Sequence, residues 1–161
     1  MTKAQQRIEQ LALEPHPEGG YYKRIYESQL SITTASGKRP SATSIHYLLE
    51  ASDYSAWHRI KSDELWYFHE GTPLLIRWIL PTGQLVQTIL GESQLMVCVP
   101  ANVWFCAEPA TSTAASNATP YSLVSCVVTP GFDFADFEMG DAEDLVTLYP
   151  RHRDVICRLC R

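Results

Sequence analysis

The sequence predicts an all-β protein, an antiparallel sandwich or barrel, on three observations. Short runs of apolar, β-branched and aromatic residues recur at about ten-residue spacing between Thr43 and Thr129. Compact turn signals separate them: Gly71-Thr72-Pro73, Pro81-Thr82-Gly83 and Gly91-Glu92-Ser93. No helical pattern lies between the runs.

Taken in order, residues 3 to 12 read as a short amphipathic helix with Ile8, Leu11 and Ala12 on its apolar side, stopped by Pro15 and Pro17. Glu18-Gly19-Gly20 allows a sharp turn, with Glu18 capping it or pairing with Arg24. Tyr21 to Ser28 alternates as a strand does, and polar residues 31 to 41, with Gly37 and Pro40, read as a loop. The strands expected next are Thr43–Leu49, Trp57–Lys61, Glu64–His69, Leu74–Leu80, Leu85–Leu90, Leu95–Val99 and Val103–Ala107. Pro109 to Pro120, rich in Thr, Ala and Ser, reads as a surface loop before a long strand, Tyr121–Thr129. Pro130 to Met139 reads as a cap that buries Phe132, Phe134 and Phe137. Residues 141 to 161 look helical with a break at Pro150, and Leu145, Leu148, Val155, Ile156 and Leu159 form the buried side. The expectation is one domain over 1–161, with a barrel over about 14–139 and a helical tail over 141–161.

A chain of 161 residues, 45% hydrophobic and 19% charged, can bury a real core. A net charge of −5 argues against binding along a phosphate backbone. No apolar run approaches a membrane span, and MTKAQQRIEQ lacks the apolar core of a signal peptide, so a cytoplasmic location is expected. The five cysteines are an odd number. Cys98, Cys106 and Cys126 lie in apolar strands and read as small buried hydrophobes. Cys157-x-x-Cys160 closes a helical segment instead of opening one, which is the wrong place for a redox motif. Asn117-Ala-Thr119 fits a glycosylation sequon, which carries no weight without a secretory signal.

The richest stretch is Ser55 to Gly71, SAWHRIKSDELWYFHEG. Along a strand Glu64, Trp66 and Phe68 share one face, and Leu65, Tyr67 and His69 share the other. Burying a carboxylate without a partner is costly, so Glu64 must meet a solvated cavity, a cation, a donor or a ligand.

This stretch also resembles the first motif of the cupin superfamily: Gly, five residues, His-x-His, three or four residues, Glu, six residues, Gly. Glu64 and Gly71 keep the closing spacing and His58 falls on the first histidine, but Ile60 stands at the second. Pro15-His-Pro-Glu-Gly-Gly-Tyr-Tyr22, Trp57-His58-Arg59, Ser62-Asp-Glu-Leu-Trp66 and Pro130-Gly-Phe-Asp-Phe-Ala-Asp-Phe-Glu138 narrow the likeness to the fifth cupin family over residues 11 to 139. The resemblance implies a double-stranded β-helix, or jelly-roll, barrel with short N- and C-terminal helices. It also implies a homodimer, for which Tyr21 and Tyr22 are candidate contacts.

A cupin metal site takes two histidines and a glutamate from the first motif and a histidine from the second, a set suited to a divalent transition metal. Only His58 and Glu64 carry over, because the second-motif glycine and histidine fall on Asn102 and Phe105. His46 or His69 could stand in, although His69 has the wrong parity. With two ligands missing, the leading expectation is no metal and no other cofactor. The protein would bind a small polar metabolite in the barrel and act as a metal-free epimerase or isomerase on a sugar or nucleotide-sugar. His58 is a candidate base, with Glu64 orienting it or serving as the base itself. Tyr47, Tyr67 and Tyr121 are candidate acids. Trp66, Phe68, Phe105 and Tyr47 would wall the pocket, and Arg59 or Arg24 would bind an anionic group. Two alternatives stay open: a metal-dependent oxygenase or isomerase with a non-standard ligand set, and a non-catalytic binding module. The plain alternatives are a structural His58 bonded to Glu64, and aromatic residues that only pack the core.

Overall fold

Two antiparallel sheets pack face to face in the structure, a computed structural model that describes residues 1–110 and 121–161. Most of the Thr/Ala/Ser-rich stretch, including the Asn117 sequon, lies outside the described residues. The elements are α1 (Lys3–Leu11), β1 (Glu14–Pro15), β2 (Tyr21–Glu27), β3 (Ser31–Thr34), β4 (Gly37–Pro40), β5 (Thr43–Glu50), β6 (Ser55–Arg59), β7 (Asp63–Gly71), β8 (Leu74–Ile79), β9 (Leu85–Leu90), β10 (Met96–Val99), β11 (Trp104–Pro109), β12 (Tyr121–Thr129), β13 (Glu138–Met139), α2 (Ala142–Leu148) and α3 (Arg153–Leu159). One sheet runs β1-β2-β5-β12-β7-β10 and the other β13-β6-β11-β8-β9.

Alternation along the strands builds the core. On β7, Glu64 and Trp66 point inward and are buried, while Tyr67 and His69 are exposed on the outer face. Tyr47, Trp66, Leu74, Ile76, Val97 and Phe105 come from both sheets into one cluster. The outer faces are covered in part. Helix α1, capped by a reciprocal Thr2–Gln5 box, lays Ile8 and Leu11 on Leu48 and Leu123. On the other sheet Leu145, Ile156 and Leu159 of α2 and α3 bury Trp57, Trp104 and Cys106.

Several expectations need correction. Residues 31 to 40 form a β-hairpin, not a loop: β-branched Ile32-Thr33-Thr34 pairs with Arg39-Lys38-Gly37, and Gly37 supplies the positive φ of 108° at the turn. Ala12 lies past the helix as its left-handed cap, and Leu148, the last residue of α2, is 62% exposed. Cys98 is exposed, since it points outward from the edge strand β10. Tyr21 packs against the cluster under α1 and Tyr22 lines the cavity described next, and both are half-buried. No helix among the described residues is long and apolar enough to cross a membrane.

Candidate functional site

A cavity of about 280 Å³ opens between the sheets, walled by residues of β2, β5, β6, β7 and β12 and by Phe132 and Phe134 of the following segment. His58 enters from β6, where alternation sends His58 inward and Trp57 and Arg59 outward. It pairs with Phe105 of β11, whose ring centroid lies 4.0 Å from the imidazole. Both ring nitrogens are engaged. Nδ1 lies 2.6 Å from the Ala56 carbonyl oxygen, which only accepts, so Nδ1 carries a hydrogen. Nε2 lies 3.0 Å from the Glu18 carboxylate.

Glu18 is the unexpected member. It is 6% exposed, accepts from the Ser55 hydroxyl at 2.9 Å, and makes a buried ion pair with His58. Burial pushes its carboxyl up, but the His58 charge and hydrogen bond, with His16 and Ser55 behind them, outweigh that and hold it down to about 2. The same balance works on His58. Desolvation favours the neutral ring, yet the charge and hydrogen bond of Glu18, then Glu64 and the Ala56 carbonyl, raise its proton affinity above the ordinary value. The pair therefore stands as carboxylate and imidazolium. The His16 side chain is also buried, and desolvation lowers its proton affinity. Its Nδ1 accepts from the Glu18 backbone N–H at 3.2 Å, which leaves the hydrogen of the neutral ring on Nε2.

Glu64 shares the cavity wall with the Glu18–His58 pair. Desolvation, then repulsion from Glu18, lifts its carboxyl to about 7, against the opposing pull of His58 and a hydrogen bond from the Cys126 thiol. Burial likewise keeps Cys126 protonated, pushed well above the ordinary thiol range. Arg24 reaches the cavity from β2, tied to the Phe132 carbonyl at 3.1 Å and to Glu27 at 3.3 Å. Glu18 therefore does not pair with Arg24.

His58 and Glu64 share this cavity, but the expected ligand-binding set does not line it. Trp66 is wholly buried behind it and its Nε1 has no partner. Phe68 packs on the core, and Phe105 backs His58. Arg59 sits outside the barrel, bonded to Glu138 at 2.7 Å and stacked 4.6 Å from the Trp104 ring. Tyr47 is buried and donates its hydroxyl to the Gly19 carbonyl at 2.6 Å. Tyr67 faces outward, and Tyr121 donates to Glu70 at 2.9 Å. Besides His58, the rings that line the cavity are those of Tyr22, Phe132, Phe134 and His16. The Pro130–Met139 segment thus walls the site as well as capping the core.

The donor set does not fit a cupin metal centre. Ile60 and Phe105 are apolar where ligands would stand, and both nitrogens of His58 are taken. His46 and His69 meet on the outer face, both bonded to Ser125 Oγ, at 3.1 and 2.6 Å. Among the described residues no three His, Cys, Asp or Glu are placed to hold a metal ion together.

A two-sheet jelly-roll barrel with a cavity between its sheets defines the protein as a cupin. More narrowly, the chain belongs to the fifth cupin family: residues 5–140 match the family described as Cupin superfamily (DUF985). A hypothetical protein from Leishmania major is 35% identical, with 99% of each chain covered and a TM-score of 0.90. A Shewanella oneidensis protein solved by X-ray crystallography is 37% identical, with 100% of this chain and 99% of that one covered and a TM-score of 0.86. Oxalate decarboxylase from Bacillus subtilis shares the fold alone, at 12% identity and a TM-score of 0.57 over 90% of this chain and 36% of that one. No curated protein matches.

Proposed function

We propose that the protein binds a small polar metabolite, sugar-like in size, in this cavity and transfers a proton on it without a metal, as an epimerase or isomerase would. The observation that carries this reading is Glu64, a buried carboxyl poised at about 7 on the cavity wall beside a buried ion pair. A group that titrates near neutral pH can accept a proton and return it with little loss in either direction. In this reading Glu64 takes a proton from a carbon next to a carbonyl and returns it to the opposite face or to the neighbouring carbon. The His58 imidazolium lends positive charge beside the developing enolate, and Glu18 keeps that ring protonated and fixed. Neutral His16 contributes an N–H donor, and Phe132 and Phe134 offer rings for the apolar face of a sugar. At about 280 Å³ the cavity is small for a ligand site, so the nucleotide half of a nucleotide-sugar would extend outward past Arg24.

The test is proton exchange in deuterated water. Monosaccharides, sugar phosphates and nucleotide-sugars are incubated with the protein, and their C–H signals are followed by NMR. One class is expected to lose a single C–H signal, with the rate falling roughly 10²-fold or more in His58→Gln. Chelation should leave the rate unchanged, and loss of exchange on chelation overturns the metal-free reading. A ligand that raises the melting temperature while no compound exchanges makes the protein a binding module instead.

Pairing of two copies belongs to the same proposal, through the part of the six-stranded sheet that α1 leaves open. Tyr67 and Met96 stand there exposed on neighbouring strands. Sedimentation equilibrium should give a dimer that Met96→Lys converts to monomer; a monomeric wild type ends this part of the reading.

A further inference from the structure

Glu18 meets His58 from a segment with no regular secondary structure, so something else must hold it there. Part of the answer is local. The Gly19 N–H donates to the His16 carbonyl at 3.0 Å and the His16 N–H to the Gly20 carbonyl at 2.9 Å, closing the loop on itself. Ala56 ties both partners, because its N–H donates to the Glu18 carbonyl at 2.8 Å and its own carbonyl accepts from His58 Nδ1. The rest comes from α3's end of the chain. Arg161 Nε donates to the same Glu18 carbonyl at 3.1 Å, and Nη2 donates to the Tyr54 carbonyl at 3.1 Å and to Asp53 Oδ1. The guanidinium lies 4.4 Å over the Tyr54 ring. Asp53 completes the frame, since its Oδ2 accepts from the Gly20 N–H at 2.7 Å. Arg161 and Asp53 therefore grip the loop on both sides of Gly19, which has no side chain in the space the guanidinium fills.

We propose that Arg161 is a positioning residue for the cavity: by holding the Glu18 carbonyl and the Asp53 carboxylate, it sets the Glu18 side chain on His58 Nε2. The inference rests on the reading that the Glu18–His58 pair belongs to the working site. Arg161 touches neither the cavity nor His58, and its side chain is 38% exposed. Its removal frees the loop and leaves the barrel core untouched. A loosened loop lengthens the average distance between Glu18 and His58 and weakens the charge that keeps the ring protonated against burial. The other groups facing His58 are Glu64 across the cavity, His16 beside Glu18, and the uncharged rings of Phe105 and Phe137. None of these contacts Arg161.

The experiment is a pH titration of the full chain labelled with ¹⁵N in its histidine rings, with His58 assigned from His58→Gln. Glu18→Gln should lower the His58 midpoint most. Arg161→Ala should lower it by about one pH unit, and Arg161→Lys, which restores one donor, should recover part of that. Asp53→Asn, which removes the counter-charge of Arg161 and so loosens its hold on the loop, should shift the midpoint the same way. A purely structural role would move the melting temperature and leave the midpoint in place. If Glu18→Gln lowers the midpoint and Arg161→Ala and Asp53→Asn do not, positioning by Arg161 is overturned and the pair survives. If Glu18→Gln itself leaves the midpoint unmoved, the pair and the reading built on it fall together.

Discussion

Glu64→Gln is expected to stabilise the protein at pH 8.5 by about 1 to 2 kcal/mol while cutting proton exchange roughly 10²- to 10⁴-fold. The folded state holds the Glu64 proton up to about 7, whereas the unfolded chain releases it at the ordinary 4.5. Between those values the folded state binds more protons, so stability falls as pH rises, by about 3 kcal/mol in total. Below 4.5 both states are protonated and the term vanishes. A glutamine does not ionise, so it escapes this loss, but its buried amide needs partners and gives back about 1 to 2 kcal/mol. Glu18 acts in the opposite sense. Its folded value of about 2 lies below 4.5, so its contribution is present above 4.5 and is lost as pH falls toward 2. From these two groups the wild type should be most stable near pH 5, and Glu64→Gln should flatten the alkaline side only. Thermal melts of both proteins at pH 4.5 and 8.5 decide it, at about 2 to 4 °C per kcal/mol for a chain of this size. An identical loss of stability between the two pH values in both proteins would falsify the assignment of a near-neutral carboxyl to Glu64. A stabilised but inactive variant is the usual mark of a residue kept for chemistry at the expense of the fold.

The strands carry their own directions, and what followed from period two was legible. Glu64 and Trp66 turn inward and Tyr67 and His69 outward, as alternation requires. The same rule, applied on β6, places Arg59 opposite to His58 and therefore outside the barrel, so a signal against it as a ligand contact was present. Alternation says which face a residue takes but not how deep it lies. Trp66, Phe68 and Phe105 share the inward face with Glu64 and His58, yet they fill the core behind the cavity. Glu18 carried no directional signal. It sits between Pro17 and two glycines, where no period applies, and its partner His58 lies 40 residues on, with four strands (β2 to β5) between them. Pro130 to Met139 reads in sequence as a cap that buries its rings; that two of those rings face a cavity depends on Arg24 and Thr43 tethering Phe132 through its carbonyl and N–H. The hairpin at 31–40 is hidden for a simpler reason: its strands are mostly polar and exposed, with Ile32 as the one large apolar residue, so no hydrophobic alternation marks them.

Gly19→Ala is expected to cost about 3 to 5 kcal/mol and to disengage Glu18 from His58, whereas Gly83→Ala should cost no more than about 2. Both glycines have positive φ, 110° at Gly19 and 83° at Gly83, so both substitutions carry the backbone penalty of that region. They differ in what a methyl group would meet. At Gly83 the nearest atom is Tyr149 Cδ1 at 4.0 Å, ordinary contact. At Gly19 the methyl would overlap the Tyr54 carbonyl oxygen, which is backbone and cannot turn aside, and the Arg161 guanidinium. Gly20 offers no relief, because its own added carbon would stand 2.6 Å from the Leu48 carbonyl. The loop must therefore lift, breaking the bonds from Ala56 and Arg161 to the Glu18 carbonyl and from Tyr47 to the Gly19 carbonyl, each worth about 1 kcal/mol. Lifting the loop carries Glu18 away from His58, so the thermal loss should come with a lowered His58 titration midpoint, which Gly83→Ala leaves in place. Melting curves and the labelled-histidine titration read the two effects separately. Equal losses of stability in the two variants, with His58 unchanged in both, would mean that the loop is not held against Tyr54 and that Glu18 reaches His58 without it.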